Sequence, residues 1–260
     1  MHIAKILMIS TALVGAATAA QAQPDGYYVS LSGGASFLDN SVNEGAFDGD
    51  FVSGAGTMIP AGTTLPSGTP VGWTTEFDTG FTISGAAGVR FWDNWRSELE
   101  VAYQDVGVGT HNGVSAADIP LGGEDAGVLI TGSDNLGADV ATIVADGQGD
   151  VSTVFVFANL YYDIDLGGPV TPYVGIGIGG AFANVEFVPS GVGIIDDSAS
   201  AVAGQIMAGL SVEVSPQIEA FAGYRYRAAS DLGVDVSLFN ATLDVENEGS
   251  VAEAGLRFNF

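Results

Sequence analysis

Beyond residue 22 the chain carries one histidine, His111, with Ser115 and Asp118 close behind it. Nucleophile–base–orienter chemistry draws on such residue types, but it needs them held within about 2.6–3.2 Å of one another. The stretch around His111 is glycine-rich and reads as part of a long loop, so no catalytic residue is expected and the chain is not expected to be an enzyme. Cysteine is absent, which removes disulfides, thiolate metal centres, haem attachment and cysteine nucleophiles, and no cofactor is expected. The remaining chemistry is ionic. After Lys5 the basic residues are Arg90, Arg96, Arg225, Arg227 and Arg257, and Glu98, Glu100, Glu213, Glu219 and Glu253 share their segments.

What must position these charges is a set of alternating segments. The last ten residues set Ala252, Ala254, Leu256, Phe258 and Phe260 against Glu253, Arg257 and Asn259, the period of two that a two-faced strand requires. Similar segments span 27–38, 81–92, 95–106, 154–164, 171–182, 201–214 and 217–227. Each is near the length at which a tilted strand crosses a bilayer. The turns between them are short at 92–95, 164–170 and 214–217, and the connections 39–80, 107–153, 183–200 and 228–250 are long. The expected fold is all-β: an eight-stranded antiparallel up-and-down transmembrane β-barrel with short periplasmic turns and long extracellular loops. All ten charges named above then face the lumen, with Arg90 expected near Glu98. Outward aromatics such as Tyr27, Phe91, Phe37 and Phe81 form two girdles. A small lumen is filled by side chains, so these charges are expected to be a salt-bridged plug, with an ion pathway as the rival.

Composition agrees with export. Hydrophobic residues make up 47% of the 260, and the net charge is −25, which excludes a nucleic-acid partner. No apolar run long enough for a membrane helix follows the first residues. Residues 1–22 read as a secretory signal peptide ending at Ala20-Gln21-Ala22, leaving 23–260 as one outer-membrane barrel domain with no wall-anchoring domain expected after it. Residues 53–72 are a low-complexity surface segment, whereas 234–238 and 242–245 alternate and are expected to extend as a hairpin whose edge recruits a partner strand or simply protrudes. Fragments such as Val128-Leu129-Ile130 leave ten strands open as an alternative to eight. Acidic residues crowd the loops, among them Asp39, Glu44, Asp48, Asp125, Asp134, Asp196, Asp235 and Glu246. Without a complete calcium-loop spacing they are expected to be solvated and mutually repelling, with weak binding of divalent cations as the alternative, and any contact with lipopolysaccharide phosphates would be mediated by such cations.

Five motifs carry a resemblance: Arg96-Ser97-Glu98-Leu99-Glu100, Asn159-Leu160-Tyr161-Tyr162-Asp163, Thr171-Pro172-Tyr173-Val174-Gly175-Ile176-Gly177, Gly223-Tyr224-Arg225-Tyr226 and the Gly255–Phe260 ending. In register with the strands they resemble the eight-stranded outer-membrane β-barrel family of OmpA-like, OmpX-like and Opa-like proteins. The resemblance implies residence in the cell outer membrane among its lipids. It also implies insertion by the barrel-assembly machinery, with Leu256, Phe258 and Phe260 as the assembly signal. Some members of that family modify lipids with a His/Ser pair, a role His111 is poorly placed to fill. The expected function is a non-enzymatic structural or surface-interaction role in the envelope, with an extracellular surface partner. A small cation-favouring porin-like channel is the alternative.

Overall fold

The computed structural model describes residues 26–54, 56, 60–133 and 136–260. The segment expected to be a signal peptide, and Asp134, lie outside the described residues. In chain order the strands are β1 (Tyr27–Leu38), β2 (Ser41–Phe47), β3 (Phe51–Val52), β4 (Thr64–Leu65), β5 (Pro70–Phe77), β6 (Gly80–Phe91), β7 (Trp95–Ala116) and β8 (Ile119–Pro120). Two short helices follow, α1 (Gly127–Ile130) and α2 (Val140–Val144). Then come β9 (Gly149–Asp163), β10 (Val170–Phe187), β11 (Ile195–Ser215), β12 (Ile218–Ala229), β13 (Leu232–Asp235), β14 (Ala241–Val245) and β15 (Glu248–Asn259). No described helix is long and apolar enough to cross a membrane.

Alternation decides the pairing. β6, β1, β15, β12, β11, β10 and β9 are hydrogen-bonded side by side in that order, every pair antiparallel. β7 pairs with β6 on one edge and with β9 on the other. Each of these eight strands therefore has a neighbour on both edges. The short connections fall at the expected turns, and Trp92 takes the left-handed conformation (φ 50°) in the β6–β7 turn.

The sheet nevertheless holds more than the eight expected strands: among the described residues it has 13, twelve on one path and β8 beside β7. The cause is local. β1 runs on into β2 after Asp39-Asn40, β5 leads into β6 across Asp78-Thr79, β12 into β13 across Ser230-Asp231, and β14 into β15 across Glu246-Asn247. Each break carries a carboxylate. Much of what reads as loop in 39–80, 107–153, 183–200 and 228–250 is thus strand, β7 continuing unbroken to Ala116 and β10 to Phe187. β2 pairs with β14 and β5, and β5 with β7. The hairpin expected near 234–245 forms as β13–β14, from Leu232↔Val245 to Asp235↔Thr242. Its outer edge is occupied, because Ile195 bridges Val236 and the Ser237 N–H donates to the Ile194 carbonyl at 2.7 Å.

The strand breaks separate two storeys of opposite polarity. In the storey nearer the short turns, the exposed face is apolar, with Leu99, Ile176, Ile178, Val202 and Ile206 all open, while arginines and glutamates are buried. In the other storey Phe47, Trp73, Phe187, Ile195, Leu232 and Leu243 form a buried core, and Asp39, Glu44, Asp196, Asp231, Asp235 and Asp244 are on or near the surface. The helices pack beside that core through Ala126, Val140 and Val144. Asp139 caps α2 by accepting from the Thr142 N–H at 2.7 Å. Asp125 accepts from the N–H groups of Gly127, Leu136 and Gly137, which hold its carboxyl below the usual range.

Glycine makes room where the buried face is most crowded. A Cβ on Gly175 would fall on the Tyr161 ring, which cannot yield because its hydroxyl is bonded to Glu98 and its face lies against Arg96. Gly175→Val is expected to cost about 1–3 kcal/mol by overpacking. The temperature at which the folded form loses its gel mobility would report this, and an unchanged temperature would show the interior to be slack.

Candidate functional site: the buried ion network

The inner face of the lower storey is built from alternate residues of all eight doubly paired strands. At the short-turn end, Asp163 at the tip of β9 receives Arg96 Nε at 2.8 Å and Arg90 Nη1 at 3.0 Å. Glu219 on β12 receives Arg90 Nη2 at 2.6 Å and Arg257 Nη1 at 2.6 Å. Arg96 is fully buried among the rings of Tyr28, Tyr161 and Tyr173, with its guanidinium carbon 4.5 Å from the Tyr161 centroid. Such stacking offsets part of the cost of burying a cation.

Glu98 lies one step along β7 and meets no arginine. It accepts from the Tyr28 hydroxyl at 3.0 Å and the Tyr161 hydroxyl at 2.8 Å. A further step along, Glu100 accepts from Arg225 Nη1 at 2.6 Å, Arg227 Nη2 at 3.0 Å, Asn159 Nδ2 at 2.7 Å and Gln205 Nε2 at 3.1 Å. Arg225 also binds Glu253, through Nε at 3.1 Å and through Nη2, and Glu253 accepts from Ser32 as well. β7 and β12 are four places apart in the pairing order. Arg225 can touch Glu100 only because the sheet curls round to bring its own far side opposite.

Five arginines thus share the interior with five carboxylates, pairing directly with Glu100, Asp163, Glu219 and Glu253, while Glu98 is held by tyrosine hydroxyls. This interior is electrically balanced although the chain carries −25. At its outer-storey end it is capped. Arg227 lies 5.1 Å from the Phe155 ring and 5.9 Å from Phe157, and those rings stack at 5.5 Å in an apolar cluster with Ala102, Ala181 and Ala203. At the short-turn end a polar cavity of about 520 Å³, lined in part by Arg90, Asp163 and Glu219, opens toward solvent.

Nine of the ten charges expected in the lumen lie in or beside this network. Glu213 shares the inner face, opposite Glu219, but is exposed and lines the polar cavity at the mouth without joining an ion pair among the described residues. Arg90 stands opposite Arg96 in register, and Glu98 stands opposite Gly88, so the expected Arg90–Glu98 pair is replaced by contacts across the interior. Asp163, Tyr28, Tyr161 and Gln205 complete the network. Alternation from Asn159 through Tyr161 to Asp163 carried that information. Leu256, Phe258 and Phe260 are exposed on the apolar face.

His111 corrects the sequence reading. It lies on β7, not in a loop, and is buried. Its Nδ1 bonds to Thr75 Oγ1 at 2.8 Å, while Ser115 is only half-buried and Asp118 is exposed, so no nucleophile–base pair is assembled. Among the described residues no group of three or more His, Cys, Asp or Glu is arranged to hold a metal ion.

No curated protein sequence is a significant match to this chain. Among solved structures it is similar to neisserial surface protein A, with 19% identity, a TM-score of 0.43, and coverage of 90% of this chain and 97% of that one. It is also similar to the outer membrane protein OprG from Pseudomonas aeruginosa, with 15% identity, a TM-score of 0.48 and coverage of 92% and 98%. Ail, the attachment invasion locus protein of Yersinia pestis, gives 16%, 0.37, 91% and 100%. Residues 69–260, the greater part of the chain, match the surface antigen family, broader than the OmpA-like, OmpX-like and Opa-like group, and the chain belongs to it.

Proposed function

We propose that the chain is a non-enzymatic integral outer-membrane protein in which the eight doubly paired strands close as a transmembrane barrel. Its short turns face the periplasm, and its outer storey stands above the membrane as a rigid acidic surface for envelope support or surface interaction. The observation that carries this is the inversion of polarity along the strands. Below the breaks, apolar side chains face outward and ions are buried, as lipid requires. Above them the arrangement is that of a protein in water. The exposed Leu256, Phe258 and Phe260 suit a terminal strand offered to the barrel-assembly machinery. Because the outer storey offers no lysine or arginine, divalent cations must bridge it to any lipid phosphates.

The rival, a small cation-favouring channel, draws on the acidic surface and the polar mouth. The balanced interior and the Phe155–Phe157 cap favour a closed lumen. A barrel shown to be folded by its heat-dependent gel shift is expected to be silent in a planar bilayer, and discrete cation-selective steps would reject the closed reading. The membrane boundary has its own test. Ile176 and Val52 are each 61% exposed, one below the breaks and one above. Ile176→Arg is expected to cost about 2–4 kcal/mol in a bilayer, while Val52→Arg stays within about 0.5 kcal/mol. Equal effects in lipid refolding titrations would remove the boundary.

A further inference from the structure

The tip of the outer storey holds an apolar pocket within an acidic rim. Phe47, Phe51 and Phe239 stand ring to ring at 5.2–6.2 Å. With Leu129, Ile143 and Ile194 they wall a part-open cavity of about 60 Å³, taken as the space open to the centre of a water-sized sphere. By that measure one water needs about 10–15 Å³, so the space suits a group of several heavy atoms, the size of one leucine or phenylalanine side chain. Phe51, Leu129, Ile143, Ile194 and Phe239 are each only half-buried, and a contiguous apolar surface left open to water needs a reason.

The rim carries charge of one sign. Asp48 follows Phe47 and Asp50 precedes Phe51. Thr242 Oγ1 lies 2.9 Å from Asp48 Oδ2 and 3.3 Å from Asp235 Oδ1, and the Asp235 N–H donates to Asp197 Oδ2 at 3.0 Å. On another side Asp139 caps α2, and Asp146 follows that helix and accepts from the Ser190 N–H at 2.7 Å. Carboxylates therefore flank the pocket at β2, at β13 and at α2. Among the described residues none of these six forms an ion pair. All five arginines after Lys5 lie on the strands of the lower storey, and burial keeps His111 neutral at ordinary pH.

Like charges held together without a counter-ion work against the compact state, and the open apolar surface adds to that cost. A partner with several positive charges around one apolar group relieves both. The rim repels an anion, a neutral molecule leaves the carboxylates unpaired, and a single ammonium cannot reach three sides of the mouth.

We propose that this tip docks a cationic peptide segment of another molecule, with one apolar side chain seated in the pocket and its flanking lysines or arginines among the rim carboxylates. A buried apolar anchor inside a polar rim is the usual anatomy of a binding hot spot, complementary charge favours the right partner, and the phenylalanine rings offer faces to a cation. The inference rests on the reading of the outer storey as an interaction surface above the membrane, and it names the chemistry of that surface's partner.

The test uses the full protein in phosphatidylcholine nanodiscs, its barrel confirmed by the heat-dependent gel shift, and follows the indole N–H resonances by NMR. Trp73, which lines the pocket, is assigned from Trp73→Phe. The probes are the end-blocked pentapeptides Lys-Lys-Phe-Lys-Lys, Lys-Lys-Gly-Lys-Lys and Glu-Glu-Phe-Glu-Glu. The first is expected to shift Trp73 saturably while Trp92 and Trp95, at the short-turn end, stay still. The glycine peptide should bind about ten- to a hundredfold more weakly, the effect of one buried phenylalanine, and the glutamate peptide should not bind. Leu129→Trp, which fills the pocket, should bring the phenylalanine peptide down to the level of the glycine one; Ile143→Phe serves if that variant does not fold. Asp48→Asn with Asp50→Asn should weaken both lysine peptides about two- to tenfold, the effect of losing two exposed ion pairs. The inference is overturned by equal binding of the phenylalanine and glycine lysine peptides, by binding of the glutamate peptide, by a filled pocket or a neutralised rim without effect, or by equal movement of all three indoles. A chain with no gel shift overturns the membrane reading as well, whereas a folded barrel that fails these tests leaves that reading standing.

Discussion

Arg225→Met is expected to lower the unfolding free energy by about 3–5 kcal/mol, the cost of leaving a buried charge without its partner. The burden falls mainly on one group. Glu100 keeps Arg227, Asn159 and Gln205 as donors, whereas Glu253 keeps Ser32. Adding Glu253→Gln to Arg225→Met removes the stranded charge and is expected to recover more than half of the loss, a coupling that a double-mutant cycle isolates. Arg90→Met is the control. The Arg90 side chain is 34% exposed, so water screens its pairs and the loss is expected to stay near 1 kcal/mol or below. Urea or heat titrations of the five proteins, Glu253→Gln alone among them, in the same lipid would decide. If Arg225→Met costs no more than Arg90→Met, or leaves heat stability unchanged while opening a conductance, the interior is a wet pathway and not a plug.

The period-two pattern located the eight strands of the lower storey because each buries one face and opens the other to an apolar surround. It also put the arginines on the inner side, since five of them on four strands obey one parity. What it could not do was choose partners. Ion pairs such as Arg225–Glu100 and Arg90–Glu219 join strands three or four places apart, and their geometry depends on how the sheet curls. Glu213 keeps the inward parity, opposite Glu219 in the β11–β12 pairing, but it sits at the open mouth, where it lines the polar cavity and makes no ion pair with any described residue. The outer storey was hidden for a different reason. Gly107, Gly109 and Gly113 make the end of β7 read as loop, and its partner β5 lies across a turn of chain rich in Gly, Thr and Pro. His111 became a core residue only through that remote pairing, against Thr75 and with its ring 4.8 Å from Phe187.

That burial gives the outer storey a pH dependence of definite sign. Burial pushes the His111 imidazole down from 6.5 to about 4, with the Asp146 carboxylate pulling weakly the other way. In the unfolded chain the imidazole takes up its proton near pH 6.5, and in the folded protein only near 4. Between those values the unfolded state holds more protons, so stability must fall as pH falls. At about 1.36 kcal/mol per pH unit, the full loss from pH 6.5 to 4 is roughly 3 kcal/mol. The many exposed carboxylates repel one another and add an electrostatic contribution of their own. They are common to the protein and to His111→Phe, so the difference between the two cancels them. At pH 7.5 His111→Phe is expected to be the less stable, by about 1–3 kcal/mol for the hydrogen bond lost at Thr75. By pH 4 that deficit should vanish or reverse, as read from protease resistance of the outer storey or from unfolding titrations. Parallel curves for the two proteins would mean that His111 is hydrated, and the apolar outer core, with the cavity inside it, would have to be abandoned.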